Sequence, residues 1–531
     1  MPCRWRRATP HRRQSVASET VQNLGVVTPP AEMDAGPNVR VLHAQGGEVL
    51  TARSTGGTMD RPVALDREGG MQWRVMVELS GVEGTVQLHE VSTGGSATAE
   101  YSAETLGLSV AEGKMTLAGL QHHLVQAQAE EHCRSRRRCD CCGAQRPLKD
   151  FRRRRLTSLC GVVEVGAPRF GPCRCGVASR RTISPVADIM PDRCTPEYER
   201  SLARMGSLLP YRRARALLDD FFPLSKAPEV ETIRQRTLQV GARLEREAVR
   251  PPLSAVQAEA RSIALTIDGG HVKAVHGYQG RSFEAFVAQV SNDDGKQVVF
   301  GSMPAEADSQ ARQLRGVLHD LGATSRTPVT ILSDGADGPR SLGEAGSVGP
   351  TYHVLDWFHL SMRIQHVTQT VKGWPDATAE DRQEGARLAD IVDEPFRWRL
   401  WHAQVQRSLD LIGDTLERLD AIGRGESRAA APAAKLAGVL RSLETYGSGQ
   451  SDLIIDYATA THSHEPISTA TTESTVQWLL HRRMGANQQM RWSPRGAHLM
   501  LKVRTVVVNE TFNEDYPRAE RWARRPFRRA A

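Results

Sequence analysis

The 531-residue chain has no uninterrupted apolar run close to the length that crosses a bilayer, which takes roughly 18 residues. Nor does it have the apolar core of a signal peptide near its start. Both shortages exclude a helical membrane protein and point to a soluble, intracellular one. Acidic residues are also in short supply: 61 Asp and Glu face 69 Lys and Arg, for a formal net charge of +8. That balance favours a polyanionic partner, most simply nucleic acid. Cysteine is nearly absent outside one window, with seven of the nine lying between Cys133 and Cys175. Such clustering argues against a disulfide framework and for metal binding. What the chain does have is size and 40% hydrophobic residues, enough for several domains and a sizeable core.

Residues 1–65 are polar and basic without apolar periodicity, as expected of a disordered tail. Residues 66–131 read as a small α+β region, with alternating strand-like stretches such as Trp73-Arg74-Val75-Met76-Val77 followed by a helical pattern carrying Leu106, Met115, Leu120 and Leu124. Residues 132–180 read as a zinc-ribbon-like module. Cys139 and Cys142 form a C-x-x-C pair followed by Gly143, and Cys173 and Cys175 form a shorter C-x-C pair about thirty residues on. Two such pairs on Gly-containing turns, separated by strand-like sequence, suit a tetrahedral Zn²⁺ site. Cys133, Cys141 and Cys160 are spare and leave the ligand set open at this point. Arg152, Arg153, Arg154 and Arg155 lie between the knuckles, either a solvated face or a phosphate-contacting surface. Residues 181–252 are helical with breaks at Pro210 and Pro223, and the last helix carries Arg234 and Arg236. A helix-turn-helix and a plain helical connector fit this pattern equally. Pro251-Pro252 marks a linker.

Residues 256–531 carry the most informative order of elements. Strands are expected over 262–267, 283–290 and 297–300, then a helix over 307–321, a strand over 328–332, a strand over 352–355, and a helix from Trp357. That is the element order of an RNase H-like domain, in which the first and fourth strands are neighbours. Asp268, before Gly269-Gly270, and Asp334, before Gly335, would then be adjacent acids at two strand ends. Asp337 or Asp356 can stand in for Asp334. Glu473 is the best third acid. On a straight helix Leu480 and Met484 fall within about 20° of it, so it faces inward, where a carboxylate needs a cation or a paired donor. Two aspartates and a glutamate can hold two Mg²⁺ or Mn²⁺ ions about 4 Å apart for in-line displacement at phosphorus. A helical insertion over about 373–465 separates Asp334 from Glu473.

At this point the residues fit a known pattern. Asp268-Gly269-Gly270, Leu332-Ser333-Asp334-Gly335, Leu355-Asp356-Trp357-Phe358-His359, Thr472-Glu473-Ser474 and Gln489-Met490-Arg491-Trp492-Ser493-Pro494-Arg495-Gly496-Ala497 together resemble bacterial insertion-sequence transposases of the DDE type, in particular the ISKra-type family. The cysteine module, with Lys149-Asp150-Phe151 between its knuckles, is similar to that branch too. The resemblance covers roughly residues 71–505. It implies that Asp268, Asp334 and Glu473 are the catalytic acids of a Mg²⁺-dependent transposase cutting and joining DNA. It also implies double-stranded DNA partners (terminal inverted repeats and target DNA), a homo-multimer on DNA, no membrane, and a bacterial cytoplasmic, nucleoid-associated setting. Arg491 and Arg495 are candidate phosphate contacts; His359 either packs or contacts DNA to position a phosphate, with packing favoured, and Trp492 is expected to pack. Two other readings share these residues: a zinc-dependent DNA-binding regulator with an inactive RNase H-like domain, and a structure-specific nuclease of the same fold. The expected fold is therefore multidomain α/β, an RNase H-like catalytic domain with a helical insertion, preceded by a zinc-ribbon-like module and a helical DNA-binding-type region.

Overall fold

The computed structural model describes residues 39–41, 72–81, 86–95, 106–175, 181–248, 258–303, 307–485 and 490–523. The Pro251-Pro252 linker, Gln489 and the end of the Arg-rich C-terminal tail lie outside them. The chain forms two compact units, residues 1–97 and 98–531.

In the first unit β1 (Val39–Val41), β2 (Gln72–Ser80) and β3 (Val86–Gly95) form an antiparallel sheet in that order. β1 falls inside the segment read from composition as a disordered tail. It pairs with Val77–Leu79 of β2, because a strand edge offers a row of unpaired N–H and C=O groups that even three residues can satisfy.

The second unit opens with α1 (Val110–Arg137), started by a capping box between Ser109 and Glu112. The cysteine module is a two-stranded ribbon, β4 (Leu148–Ser158) and β5 (Gly161–Phe170). Val125, Ala129 and Cys133 of α1 pack on Val163, Val165 and Ala167 of β5. The sequence grouping of 66–131 joins α1 to the strands before it, but its packing is with the ribbon. Val186, from the short helix that follows, joins the same core.

Next come α2 (Pro185–Ile189), α3 (Pro196–Leu208), α4 (Tyr211–Phe221) and α5 (Val230–Ala248). Thr195 caps α3, with Pro196 in its first turn.

The centre of the unit is a five-stranded mixed sheet: β6 (Ile263–Lys273), β7 (Ser282–Asn292), β8 (Gln297–Ser302), β9 (Val329–Ser333) and β10 (Thr351–Leu355), in the order β10-β9-β6-β7-β8. β6, β7 and β8 run antiparallel, while β6, β9 and β10 run parallel. α6 (Ala307–Asp320) and α7 (Asp337–Gly346) supply Leu314, Leu318 and Leu342 to a core with Ile263, Leu265, Ile267 and Ile331. Another core joins Val272, Ala285 and Val287 to Val476, Leu480, Met484, Met500 and Leu501. With apolar cover from both cores, the inner strands read as near-continuous apolar runs. Each fully buried Leu or Ile contributes about 1.5–3 kcal/mol.

After β10, α8 (Trp357–Val371) leads into α9 (Ala379–Ile391), α10 (Arg397–Trp401), α11 (Val405–Gly423), α12 (Ala430–Gly449) and α13 (Tyr457–His462). These share a core of their own, with Leu360, Ile364 and Val367 against Leu416, Leu419, Leu436 and Leu440. The chain then returns through α14 (Ala470–Val476), a π-helical turn over Gln477–His481 and α15 (Arg482–Met484), and ends in α16 (Pro494–Val508) and α17 (Phe512–Ala523). α5 packs against α3, α16 and α17. Its Ile233, Val240, Gly241 and Leu244 are buried, while Glu231, Thr232, Arg234 and Gln235 are exposed.

Candidate active site and metal centre

Asp268 does not end its strand. β6 continues to Lys273, paired with β7 throughout, whereas its pairing with β9 stops at Thr266↔Leu332. Asp268 and Asp334 therefore stand at equivalent positions, each two residues beyond the last pair of the parallel ladder. This is where the parallel β6–β9 ladder ends, the place at which open α/β sheets bind ligands. The glycines after Asp268 are there for close approach: a Cβ on Gly270 would lie 2.5 Å from Leu480 Cδ1, and one on Gly269 would lie 2.5 Å from Glu284 Oε1.

Glu473 arrives in the first turn of α14. Two clamps bring it there. The Thr472 hydroxyl bonds the Thr266 hydroxyl, which docks α14 on β6 beside Asp268. At the start of α14, Thr469 N–H donates to Asp356 Oδ1 at 2.9 Å and the Thr469 hydroxyl bonds Asp356 Oδ2. Glu473 then sits against Asp268. Burial first, and then the neighbouring Glu473 carboxyl, push Asp268 up to about 6. The π-helical turn moves the face beyond Glu473: Gln477 Nε2 donates to Glu473 Oε1 at 3.4 Å, and His481 Nδ1 meets Gln477 Oε1 at 3.0 Å. Half-buried Glu473 thus shares its side of the helix with polar groups, while Val476, Leu480 and Met484 form the buried side.

Asp334 follows β9 and accepts from Ala336 N–H at 3.0 Å. Asp337 lies exposed at the start of α7. Asp356 is fully buried, and its carboxylate is consumed by donors: Thr469, Phe358 N–H at 2.9 Å and His359 Nδ1 at 2.6 Å. Burial would raise its pKa, but these hydrogen bonds outweigh burial and hold it below the usual carboxylate range. The Asp356 carboxylate is therefore already engaged by these donors.

His359, expected either to pack or to position a phosphate, is tied to a buried carboxylate. Its hydrogen bond to Asp356 raises its pKa, and the Asp268 and Asp334 carboxylates act in the same direction. The ring therefore lies within the field of both acids, oriented from behind by a buried carboxylate. The local signal was present: Asp-x-x-His across a strand-to-helix junction lets the histidine reach back to its own N-cap.

The four cysteines Cys139, Cys142, Cys173 and Cys175 come together with all four Sγ atoms within 4.8 Å of one another. Cys139 and Cys175 are 3.9 Å apart, and Cys142 and Cys173 are 3.4 Å apart. A tetrahedral site with Zn–S bonds of about 2.3 Å needs sulfurs about 3.8 Å apart, so the quartet fits Zn²⁺. Cys133, Cys141 and Cys160 lie outside the quartet. The Cys141 and Cys142 N–H groups aim at Cys139 and lower it to about 6. The Cys175 N–H favours the Cys173 thiolate, but the Cys142 thiol, burial and the other sulfurs outweigh it and push Cys173 up to about 11. A divalent cation bound by the quartet would displace these protons, because only the thiolates ligate. Among the described residues this is the one group of three or more His, Cys, Asp or Glu ligands so compact.

No protein-family model matches the chain. No curated protein matches it either. Among solved structures, it is similar to a Drosophila P element transposase strand transfer complex, at 12% identity and a TM-score of 0.30, over 60% of this chain and 93% of that one.

The arginines divide by partner. Arg152, Arg153 and Arg155 are exposed on β4, with ion pairs of 3.9–4.0 Å to Asp150 and Glu164. Arg154 turns inward and donates to Met190 O at 2.8 Å. Arg234 is held by Glu231. Arg236 joins Arg243 on buried Glu199, Arg491 donates to Ala274 O at 3.2 Å, and Arg495 makes a bidentate pair with Glu245 at 2.7 and 2.6 Å. Arg236 in particular is spent on the interior, where Glu199 needs its charge. No helix among the described residues is long and apolar enough to cross a membrane.

Proposed function

We propose that the chain is a DNA transposase of the DDE type, built on an RNase H-like domain, that cleaves and joins DNA strands at the inverted-repeat ends of an insertion sequence. The observation that carries this reading is the parallel β6–β9 ladder ending at Thr266↔Leu332, with Asp268 and Asp334 just beyond it and Glu473 against Asp268. An all-oxygen donor set suits Mg²⁺ or Mn²⁺. In support of it, Asp268 is buried and Glu473 half-buried beside it, and two such carboxyls need either a shared proton or a cation between them. Asp268, Asp334 and Glu473 would hold the ions. When bound, such ions activate an attacking oxygen and stabilise the leaving oxygen at phosphorus.

The chain's own residues do the rest. The β6–β7 ladder holds Asp268 on one side, Thr472 and Thr469 fix Glu473, and Asp356 turns His359 toward the acids, where it can contact a phosphate. Double-stranded DNA is the partner, contacted by the exposed Arg152, Arg153 and Arg155 of the ribbon, and a homo-multimer assembles on the two ends. The test is Mg²⁺-dependent strand cleavage and transfer on the DNA flanking the coding sequence. Asp268→Asn, Asp334→Asn and Glu473→Gln each abolish cleavage while end binding persists. Full cleavage by any one of them removes that residue from the site, and sequence-specific binding with no cleavage by the unaltered protein removes the reading.

A further inference from the structure

Arg146 follows the first cysteine knuckle and is 6% exposed. Its backbone is tied to the end of α1: Arg146 N–H donates to Arg137 O at 2.8 Å, and Arg137 Nε donates to Arg146 O at 3.4 Å. Its guanidinium reaches the cysteine quartet, with Nη2 4.0 Å from Cys139 Sγ. Nε and Nη1 have no hydrogen-bond partner among the described residues. A guanidinium is charged at every ordinary pH. Burying one with open donors costs several kcal/mol unless an anion stands nearby. The anion within reach is the quartet itself. Cys139 is the one member of the quartet that is fully buried, at 3% exposure. Four thiolates around one divalent cation leave a net charge of −2, and that charge too needs an opposite.

We propose that Arg146 is the counter-charge of the tetrathiolate centre. It stabilises the buried Cys139 thiolate, and through it the binding of a thiophilic divalent cation of the Zn²⁺ class. Arg146 is then a positioning residue behind the ligands, and the centre and the arginine offset each other's burial. The inference rests on the reading of the quartet as a metal site.

The experiment is a zinc competition titration of the full chain against a chromophoric chelator, for the unaltered protein, Arg146→Met and Arg146→Lys. The unaltered chain binds one Zn²⁺ through the quartet. Arg146→Met, which keeps bulk and removes charge, weakens binding about 10-fold or more, the usual scale for an outer partner of a metal ligand. Arg146→Lys, which keeps the charge, stays within about threefold of the unaltered protein on the same scale. Should the Met variant not fold, Arg146→Gln takes its place with the same expectation. Equal affinity in all three proteins overturns the inference and leaves the metal site standing. Equal loss in Met and Lys variants also overturns it, making Arg146 a packing residue. Failure of the unaltered chain to bind zinc overturns the metal site and the inference together.

Discussion

Tyr446 Oη donates a 2.8 Å hydrogen bond to the main-chain carbonyl of Asp334, a residue 112 positions earlier. Beside it Gln450 Nε2 donates to Gly335 O at 3.1 Å. Gly335 has φ +87°, and a Cβ there would meet Gln450 Cδ at 2.8 Å, so this turn requires glycine. Arg363 stacks over the Tyr446 ring with its charge 4.0 Å from the centroid. The helical insertion thus reaches back through α12 to hold the turn that carries the second acid.

Tyr446→Phe keeps the ring and its stacking and deletes the donor. It is expected to cost about 1 kcal/mol of stability. Strand cleavage falls more steeply, because a small displacement of a reacting group costs rate out of proportion to stability. Thermal unfolding and single-turnover cleavage, measured on the same preparation, separate the two effects. A lowered melting temperature with an unchanged rate would confine Tyr446 to a structural role.

Asp268→Asn removes one of two crowded carboxyls. Without divalent ions this variant is at least as stable as the unaltered protein, since the mutual repulsion with Glu473 is gone. Adding Mg²⁺ raises the melting temperature of the unaltered protein through binding to the folded state and leaves that of Asp268→Asn nearly unmoved. Calorimetry with EDTA and with Mg²⁺ reads both. An equal Mg²⁺ effect in the two proteins would place the ion elsewhere.

Glu245 ties α5 to α16 through His498 Nε2 at 2.9 Å and the bidentate Arg495 pair. Burial raises its pKa, but His498 and Arg495 outweigh burial and bring it down to about 2. An unfolded glutamate titrates near 4.3. The folded pKa is the lower one, so the stabilisation is complete above the unfolded value and is lost as pH falls from about 4 to about 2. With Arg495 half exposed, solvent screening leaves about 1–2 kcal/mol. Glu245→Gln removes that part of the acid sensitivity, which urea midpoints across the same pH range measure.

Gly241 lies where α5 crosses α16, and a Cβ there would sit 2.2 Å from the Leu499 carbonyl oxygen. Backbone cannot step aside as a side chain can. Gly241→Ala is therefore expected to destabilise by more than about 2 kcal/mol despite the better helix propensity of alanine. Denaturant unfolding decides it, and a stabilised variant would mean that the two helices can move apart.

Much of the outline was legible in the chain. Short apolar runs, alternating in β2 and near-continuous in the inner strands, marked the strands, Pro210 and Pro223 stood between α3, α4 and α5, and paired cysteines on Gly turns picked out the quartet. These are local rules, written within a few residues of where they act. Asp-Gly-Gly and Ser-Asp-Gly likewise drew attention to Asp268 and Asp334 as residue types.

The tertiary structure decided what local rules cannot reach. A sequence pattern shows that β6 can pair, but not that β9 stops at Thr266↔Leu332 while β7 continues past Asp268. It shows Glu473 on a helix, but not the Thr472–Thr266 and Thr469–Asp356 bonds that dock that helix across more than a hundred residues. It shows that Arg236 is basic, but not that buried Glu199 claims it. Spacing along the chain fixes periodicity and turns, because those depend on neighbouring backbone angles. Partnership between distant side chains is settled only when burial removes water as the alternative partner.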